Sequence, residues 1–162
     1  MQRTRISHNK VCHGLAHHKG KLLLVNENME DLRYYTAILQ NFGYETRACA
    51  TYAKANKLFA RESFDLVIVS QGSRAFEGRS VLAQAVEADR TTPVLVLAHC
   101  ADIDCYIEAM QLGAYDYLEE PLSPSEVLEQ VETHIRTDRE RNRSHNSSRV
   151  PHGGQATVSH AD

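Results

Sequence analysis

Ser70 is the residue whose position most directly suggests chemistry. It closes Leu66-Val67-Ile68-Val69, a continuous apolar run entered through Phe64-Asp65. A short, uniformly apolar run bounded by turn residues reads as a strand covered on both faces, as in the middle of a parallel sheet. Ligands and reactions collect outside the carboxyl ends of such strands. A hydroxyl there could be phosphorylated by a separate kinase or could hold a ligand; the plainer reading is a small polar filler. A second constellation, Cys12-His13 with His17-His18, offers the thiolate and imidazole ligands that zinc and related ions accept. It has no second half and sits in a polar, basic stretch, so a solvated arm is preferred. Cys100 and Cys105 bracket a helix start and read as separate thiols rather than a redox pair.

Regular elements must position these groups, and the pattern becomes regular at Lys21. Leu22 to Val25 is an apolar run closed by Asn26-Glu27-Asn28, after which Leu32, Tyr35, Ile38, Leu39 and Phe42 recur at helical spacing until Gly43. Tyr44 to Ala48 supplies a short strand, and Tyr52 to Arg61 a helix with Ala55, Leu58 and Phe59 on one face. The strand ending at Ser70 follows, then a loop through Gly78 and a helix from Arg79 that buries Val81, Leu82, Ala85 and Val86. Val94 to Leu97 is again uniformly apolar, and a helix over Asp102–Leu112 carries Ile103, Ile107 and Met110 before Gly113. Tyr115 to Leu118 is a fifth strand. Ser123-Pro124-Ser125-Glu126 is a capping box with proline at the first helical position, and Val127, Leu128, Val131 and Ile135 face the core. Five strand-helix repeats with uniformly apolar strands predict a parallel sheet with helices on both faces.

The chain has 162 residues, enough for one domain with a proper core. Its net charge of −3 conceals a division. Residues 22–135 carry 8 Lys and Arg against 18 Asp and Glu, whereas residues 1–21 carry 5 basic and no acidic groups. An acidic body thus lies between two basic ends. Those ends could touch nucleic acid through salt-sensitive attraction to phosphate. Neither carries an aromatic residue to stack on bases, so solvated tails are preferred and nucleic acid is not the expected partner. No apolar stretch of signal or membrane length occurs, and four scattered cysteines fit a reducing compartment, so the expectation is cytoplasmic residence without membrane association. The expected organisation is a basic, disordered arm over residues 1–20, a folded domain over 21–136 and a disordered polar tail over 137–162.

Residues 21–136 resemble a response-regulator receiver domain of bacterial two-component signalling. The resemblance rests on Lys21 to Glu27, Asp65 to Ser70, Phe76-Glu77-Gly78, Pro93 to Ala98 and Gly113-Ala-Tyr-Asp-Tyr117-Leu-Glu-Glu120-Pro121. It implies a flavodoxin-like (βα)5 doubly wound sheet of strand order 2-1-3-4-5. By the same match Ser70 stands where the family has its phosphoacceptor aspartate, Ala98 at the hydroxyl position, Glu120 at the lysine position, Asn26 and Glu27 at the acid pair, and Tyr117 at the switch aromatic.

The implied site is degenerate. A serine cannot form an acyl phosphate, and His99 is the one nearby group able to act as its base. Glu27 and Glu120 together are a thin oxygen site for a divalent cation, so neither bound Mg²⁺ nor another cofactor is expected. Arg74 is the nearest cation in sequence for either acid. The resulting expectation is a single-domain pseudo-receiver, not an enzyme, acting by protein-protein recognition. Its partner would be a histidine kinase or an output regulator, and a homodimer would use the face of the fourth helix, fifth strand and fifth helix. Tyr106, Glu108, Tyr115, Glu126, Glu129 and Glu132 are expected to border that face. The alternatives are a receiver phosphorylated on an atypical acceptor such as His99, or a nucleic-acid-associated regulator working through its basic arms.

Overall fold

The computed structural model describes residues 18–147, with side-chain burial given through residue 135. The elements alternate as β1 (Lys21–Val25), α1 (Met29–Asn41), β2 (Glu45–Cys49), α2 (Tyr52–Leu58), β3 (Leu66–Ser70), α3 (Arg79–Ala88), β4 (Val94–Ala98), α4 (Ile103–Leu112), β5 (Asp116–Glu119) and α5 (Pro124–Ser147). All strand pairings are parallel, in the order β2-β1-β3-β4-β5. This is the flavodoxin-like sheet that the sequence pattern and the resemblance predicted.

Uniformly apolar strands follow from the two-residue period of side-chain direction in a sheet covered on both faces. Leu23, Val25, Val67, Val69, Val94 and Val96 face one core, with Ala55, Val81, Leu82, Ala85 and Ala109. Leu22, Leu24, Leu66, Ile68, Leu95 and Leu97 face the other, with Leu32, Tyr35, Ile38, Val127, Val131 and Ile135. Helix starts are fixed by side chains that satisfy orphan amides. Asn28 Oδ1 accepts from Glu30 N at 2.9 Å, and Asp102 Oδ1 from Asp104 N at 3.0 Å and Cys105 N at 3.2 Å. The predicted capping box is present: Ser123 N donates to Glu126 Oε2 at 2.7 Å and Glu126 N to Ser123 Oγ at 3.4 Å.

The structure sets different bounds for two helices and decides the orientation of a third. α2 stops at Leu58, whose carbonyl accepts from both Arg61 N at 2.9 Å and Glu62 N at 2.8 Å, so the chain turns before Arg61. α5 continues to Ser147, past the boundary expected at residue 136. Residues 136–143 lack apolar periodicity but are rich in arginine, a strong helix former. In α4 the buried positions are Cys105 and Ala109, while Ile103, Ile107 and Met110 point outward. The small residues Cys105 and Ala109 face the core, and the large aliphatic groups are left outside. Residues 1–17 and 148–162 lie outside the described residues, and so do Cys12, His13 and His17. Among the described residues no helix is long and apolar enough to cross a membrane.

Candidate functional site

The register brings the carboxyl ends of the central strands side by side: Val25 pairs with Val69, Ser70 with Leu97, and Ala98 with Glu119. At the end of β1, Asn26 is buried, its amide donates to Cys49 O at 3.1 Å, and its Oδ1 accepts from Asn28 N at 2.9 Å. Asn28 in turn caps α1, so the turn Asn26-Glu27-Asn28 is held by its own side chains and Glu27 is left exposed. Asn26 Nδ2 is buried without a hydrogen-bond partner.

At the end of β3, Ser70 is buried and its Oγ lies 3.0 Å from Tyr52 Oη, which is also 3.4 Å from Ser70 O. The loop that follows folds back over this strand end. Gly78 N donates to Gln71 O at 3.0 Å, and a Cβ at Gly78 would collide with the Ser70 carbonyl oxygen, so only glycine fits. Glu77 ties the loop together, accepting from Ser73 N and Ser73 Oγ, each at 2.7 Å; these bonds hold its carboxyl below the ordinary range.

β4 and β5 supply the opposite wall. Ala98 is buried, and its carbonyl accepts from Glu120 N at 2.8 Å. The Glu120 side chain is 2% exposed, and neither carboxylate oxygen closes a hydrogen bond of ordinary geometry. His99 Nε2 stands 3.5 Å from Glu120 Oε2 and 2.9 Å from Asp31 Oδ2. Burial pushes the Glu120 carboxyl up; His99 and the Tyr35 hydroxyl oppose that push, and Asp31 adds to it. The Glu120-Pro121 peptide is cis.

The register sets Asn26, Ser70, Ala98 and Glu120 at or just past the strand ends, with Glu27 exposed in the turn after β1, and the ionisable groups are partnered differently from the sequence reading. Glu120 clusters with Asp31 and His99, whose ligand atoms all lie within 4.8 Å of one another, and Glu27 is not a member of that cluster. Asp31 was missed because in sequence it is only a first-turn acid of α1; the signal was that this turn begins beside the carboxyl end of β1. Arg74 reaches neither Glu27 nor Glu120 as a salt bridge. It lies 3.9 Å from Asp102, because the loop after β3 carries it out toward the start of α4. Cys105 is a buried thiol whose Sγ contacts Arg74 O at 3.6 Å, and Cys100 is exposed; both are free.

Tyr117 is half-buried. Its hydroxyl donates to Gln71 Oε1 and accepts from Asp102 N at 3.4 Å, and its ring meets Tyr106 edge-on at 5.7 Å. Gln71 Nε2 is itself committed to Ser73 O at 3.1 Å. The side chain thus joins β5 to the loop after Ser70 and to the cap of α4.

The profile of the family described as response regulator receiver domain matches residues 22–132. The chain belongs to this family. A receiver domain is a module of two-component signalling. Among curated relatives, the alginate biosynthesis transcriptional regulatory protein AlgB of Pseudomonas aeruginosa is 36% identical over 110 residues, covering 67% of this chain and 24% of that protein. The response regulator protein PilR of the same organism is 26% identical over 118 residues, covering 73% of this chain and 26% of that protein. The chain thus spans about a quarter of the length of these relatives. A CheY-like receiver domain protein from Methanospirillum hungatei shares the fold with a TM-score of 0.71 at 21% identity, over 75% of this chain and 97% of that one. The beryllofluoride-activated NtrC4 receiver domain dimer superposes with a TM-score of 0.66 at 21% identity, over 73% of this chain and 98% of that one.

Proposed function

We propose that this receiver domain acts without phosphoryl transfer, as a pseudo-receiver that docks other proteins through a fixed surface. The reading is carried by the end of β3, where the chain presents Ser70, a neutral hydroxyl engaged with Tyr52, instead of a carboxylate. The other wall is equally unsuited to a transferable anion. Glu120 places a buried acid where a phosphoryl group would need a cation, and two unit charges about 4 Å apart at an effective dielectric of about 20 interact by roughly 4 kcal/mol. With a lysine that interaction attracts; with a glutamate it repels by a similar amount. Tyr117, at the switch-aromatic position, is held by Gln71 and the Asp102 amide, which favours one surface rather than two. The domain is read as a non-enzymatic module with no resident Mg²⁺.

The docking surface is best supported on α4. Ile103 is 69% exposed, and Tyr106, Ile107 and Met110 are exposed beside it at helical spacing, giving an apolar stripe that water disfavours. Glu126 and Glu129 on α5 are exposed, whereas Tyr115 and Glu132 are half-buried and Glu108 is paired with Arg79 at 2.8 Å. A second copy, a histidine kinase or an output regulator would seat on this face, as the NtrC4 receiver is itself a dimer. The test is incubation with acetyl phosphate, or with beryllofluoride and Mg²⁺, followed by intact-mass and NMR measurement. No adduct and no saturable shift are expected; a stoichiometric adduct or a saturable shift at Ser70 overturns the reading.

One observation favours a second reading, phosphorylation at an atypical acceptor. His99 is 60% exposed on the rim and hydrogen-bonded to Asp31, as a positioned imidazole would be. Radiolabel transfer from a panel of histidine kinases onto wild type, but not onto His99→Gln, would favour it, and absence of transfer removes it. The nucleic-acid reading rests on the basic ends, most of which lie outside the described residues.

A further inference from the structure

Asp31, His99 and Glu120 come from three separate parts of the chain: the first turn of α1, the residue after β4 and the residue after β5. Their ligand atoms nevertheless meet. His99 Nε2 is 2.9 Å from Asp31 Oδ2 and 3.5 Å from Glu120 Oε2, and all three lie within 4.8 Å of one another. Independently, the Glu120 side chain is only 2% exposed, and neither of its oxygens closes a hydrogen bond of ordinary geometry, although the Tyr35 hydroxyl and His99 lie nearby. A buried carboxylate whose oxygens close no regular hydrogen bond is costly, and Oε2 faces His99 in this cluster.

We propose that Asp31, His99 and Glu120 form a binding site for a divalent transition-metal ion of the zinc class. Metal-ligand bonds of about 2.0–2.2 Å from imidazole nitrogen and carboxylate oxygen place tetrahedral ligand atoms roughly 3.3–3.6 Å apart. The two contacts through His99, 2.9 and 3.5 Å, lie close to that span, and the Asp31 and Glu120 oxygens, within 4.8 Å of each other, close toward it on binding. Two carboxylates neutralise a divalent ion, and the ion gives Glu120 a direct bond that its present neighbours do not close. The imidazole selects against Mg²⁺ and Ca²⁺, which take oxygen ligands, in favour of zinc-like ions. Three protein ligands leave a fourth position on the exposed side of His99, open to water or to a donor from a docked protein. This site uses neither Ser70 nor Glu27, goes beyond the docking reading, and stands or falls separately from it.

The test is isothermal titration of the full chain with Zn²⁺, with Co²⁺ as an optical probe of ligand type. Four proteins are compared: wild type, His99→Gln, Glu120→Gln, and an arm variant carrying Cys12→Ser with His13, His17 and His18 each changed to Gln. The expected result is one stoichiometric site that survives in the arm variant and weakens at least about tenfold in His99→Gln and in Glu120→Gln. Its Co²⁺ spectrum would lack thiolate charge transfer. Because Glu120→Gln could alter folding, the metal-dependent rise in Tm is read in each variant against its own metal-free value; that rise should vanish in both site variants and persist in the arm variant. Undiminished binding in His99→Gln and Glu120→Gln, or loss of the site only in the arm variant, would overturn the proposal.

Discussion

Whether Ser70 is a free reactive hydroxyl or a structural partner can be decided by a double-mutant cycle with Tyr52. Both hydroxyls are buried and lie 3.0 Å apart, and the alternative contact of Tyr52 Oη with Ser70 O is longer, at 3.4 Å. Ser70→Ala leaves the tyrosine hydroxyl with only that poorer acceptor, and stranding a buried hydroxyl costs about 1–2 kcal/mol. Tyr52→Phe leaves Ser70 Oγ similarly stranded and costs about 1 kcal/mol. In the double variant neither group is left waiting for the other, so its loss should fall short of the sum by about 0.5–1.5 kcal/mol. At roughly 3–6 °C per kcal/mol for a domain of this size, each single change is resolved by thermal unfolding and checked by urea titration. Unfolding of wild type, both single variants and the double variant completes the cycle. Additivity within about 0.3 kcal/mol would mean that the Ser70 hydroxyl is not committed to Tyr52, and the argument that the β3 end is closed to chemistry would fail.

Three further outcomes are expected. Ser70→Asp alone should not take beryllofluoride with Mg²⁺, because the like charge of Glu120 remains, whereas Ser70→Asp with Glu120→Lys should show a saturable NMR shift; binding by the single variant would refute the charge argument. Ile103→Ser with Ile107→Ser should leave stability within about 0.5 kcal/mol, since both side chains are exposed, yet weaken self-association by about 2 kcal/mol, roughly thirtyfold, at the apolar area they would bury. Sedimentation equilibrium reads that constant, and equal constants for variant and wild type would remove the α4 face from docking. Glu62, bonded to Arg47 and Lys21 at 2.8 Å each, has its carboxyl pulled down to about 2, first by the Arg47 hydrogen bond and then by Lys21. Its folded value lies below its unfolded one, so its stabilisation is present above the unfolded value and is lost as pH falls toward 2. Glu62→Gln should therefore lower stability at neutral pH and flatten its decline in that acid window, and an unchanged acid limb would count against the pairing.

The amino-acid sequence determined the architecture because strand and helix periods are local and redundant. Leu22 to Val25, Leu66 to Val69 and Val94 to Leu97 each announce a doubly covered strand, and Asn28, Asp102 and Ser123 mark helix starts within one turn. The resemblance to the receiver family grouped Asn26, Glu27, Ser70, Ala98 and Glu120, and the parallel register sets them at or just beyond the strand ends. Only the tertiary structure decided which of those groups face each other. Asp31 and His99 are 68 residues apart, and their meeting depends on where α1 settles against the ends of β1 and β4. Periodicity assigned Ile103, Ile107 and Met110 to one face of α4, but not the direction of that face, because a helix that packs through Cys105 and Ala109 turns its larger groups to solvent. Local pattern fixes what an element is; long-range packing fixes which side it shows and which charge it is given for company.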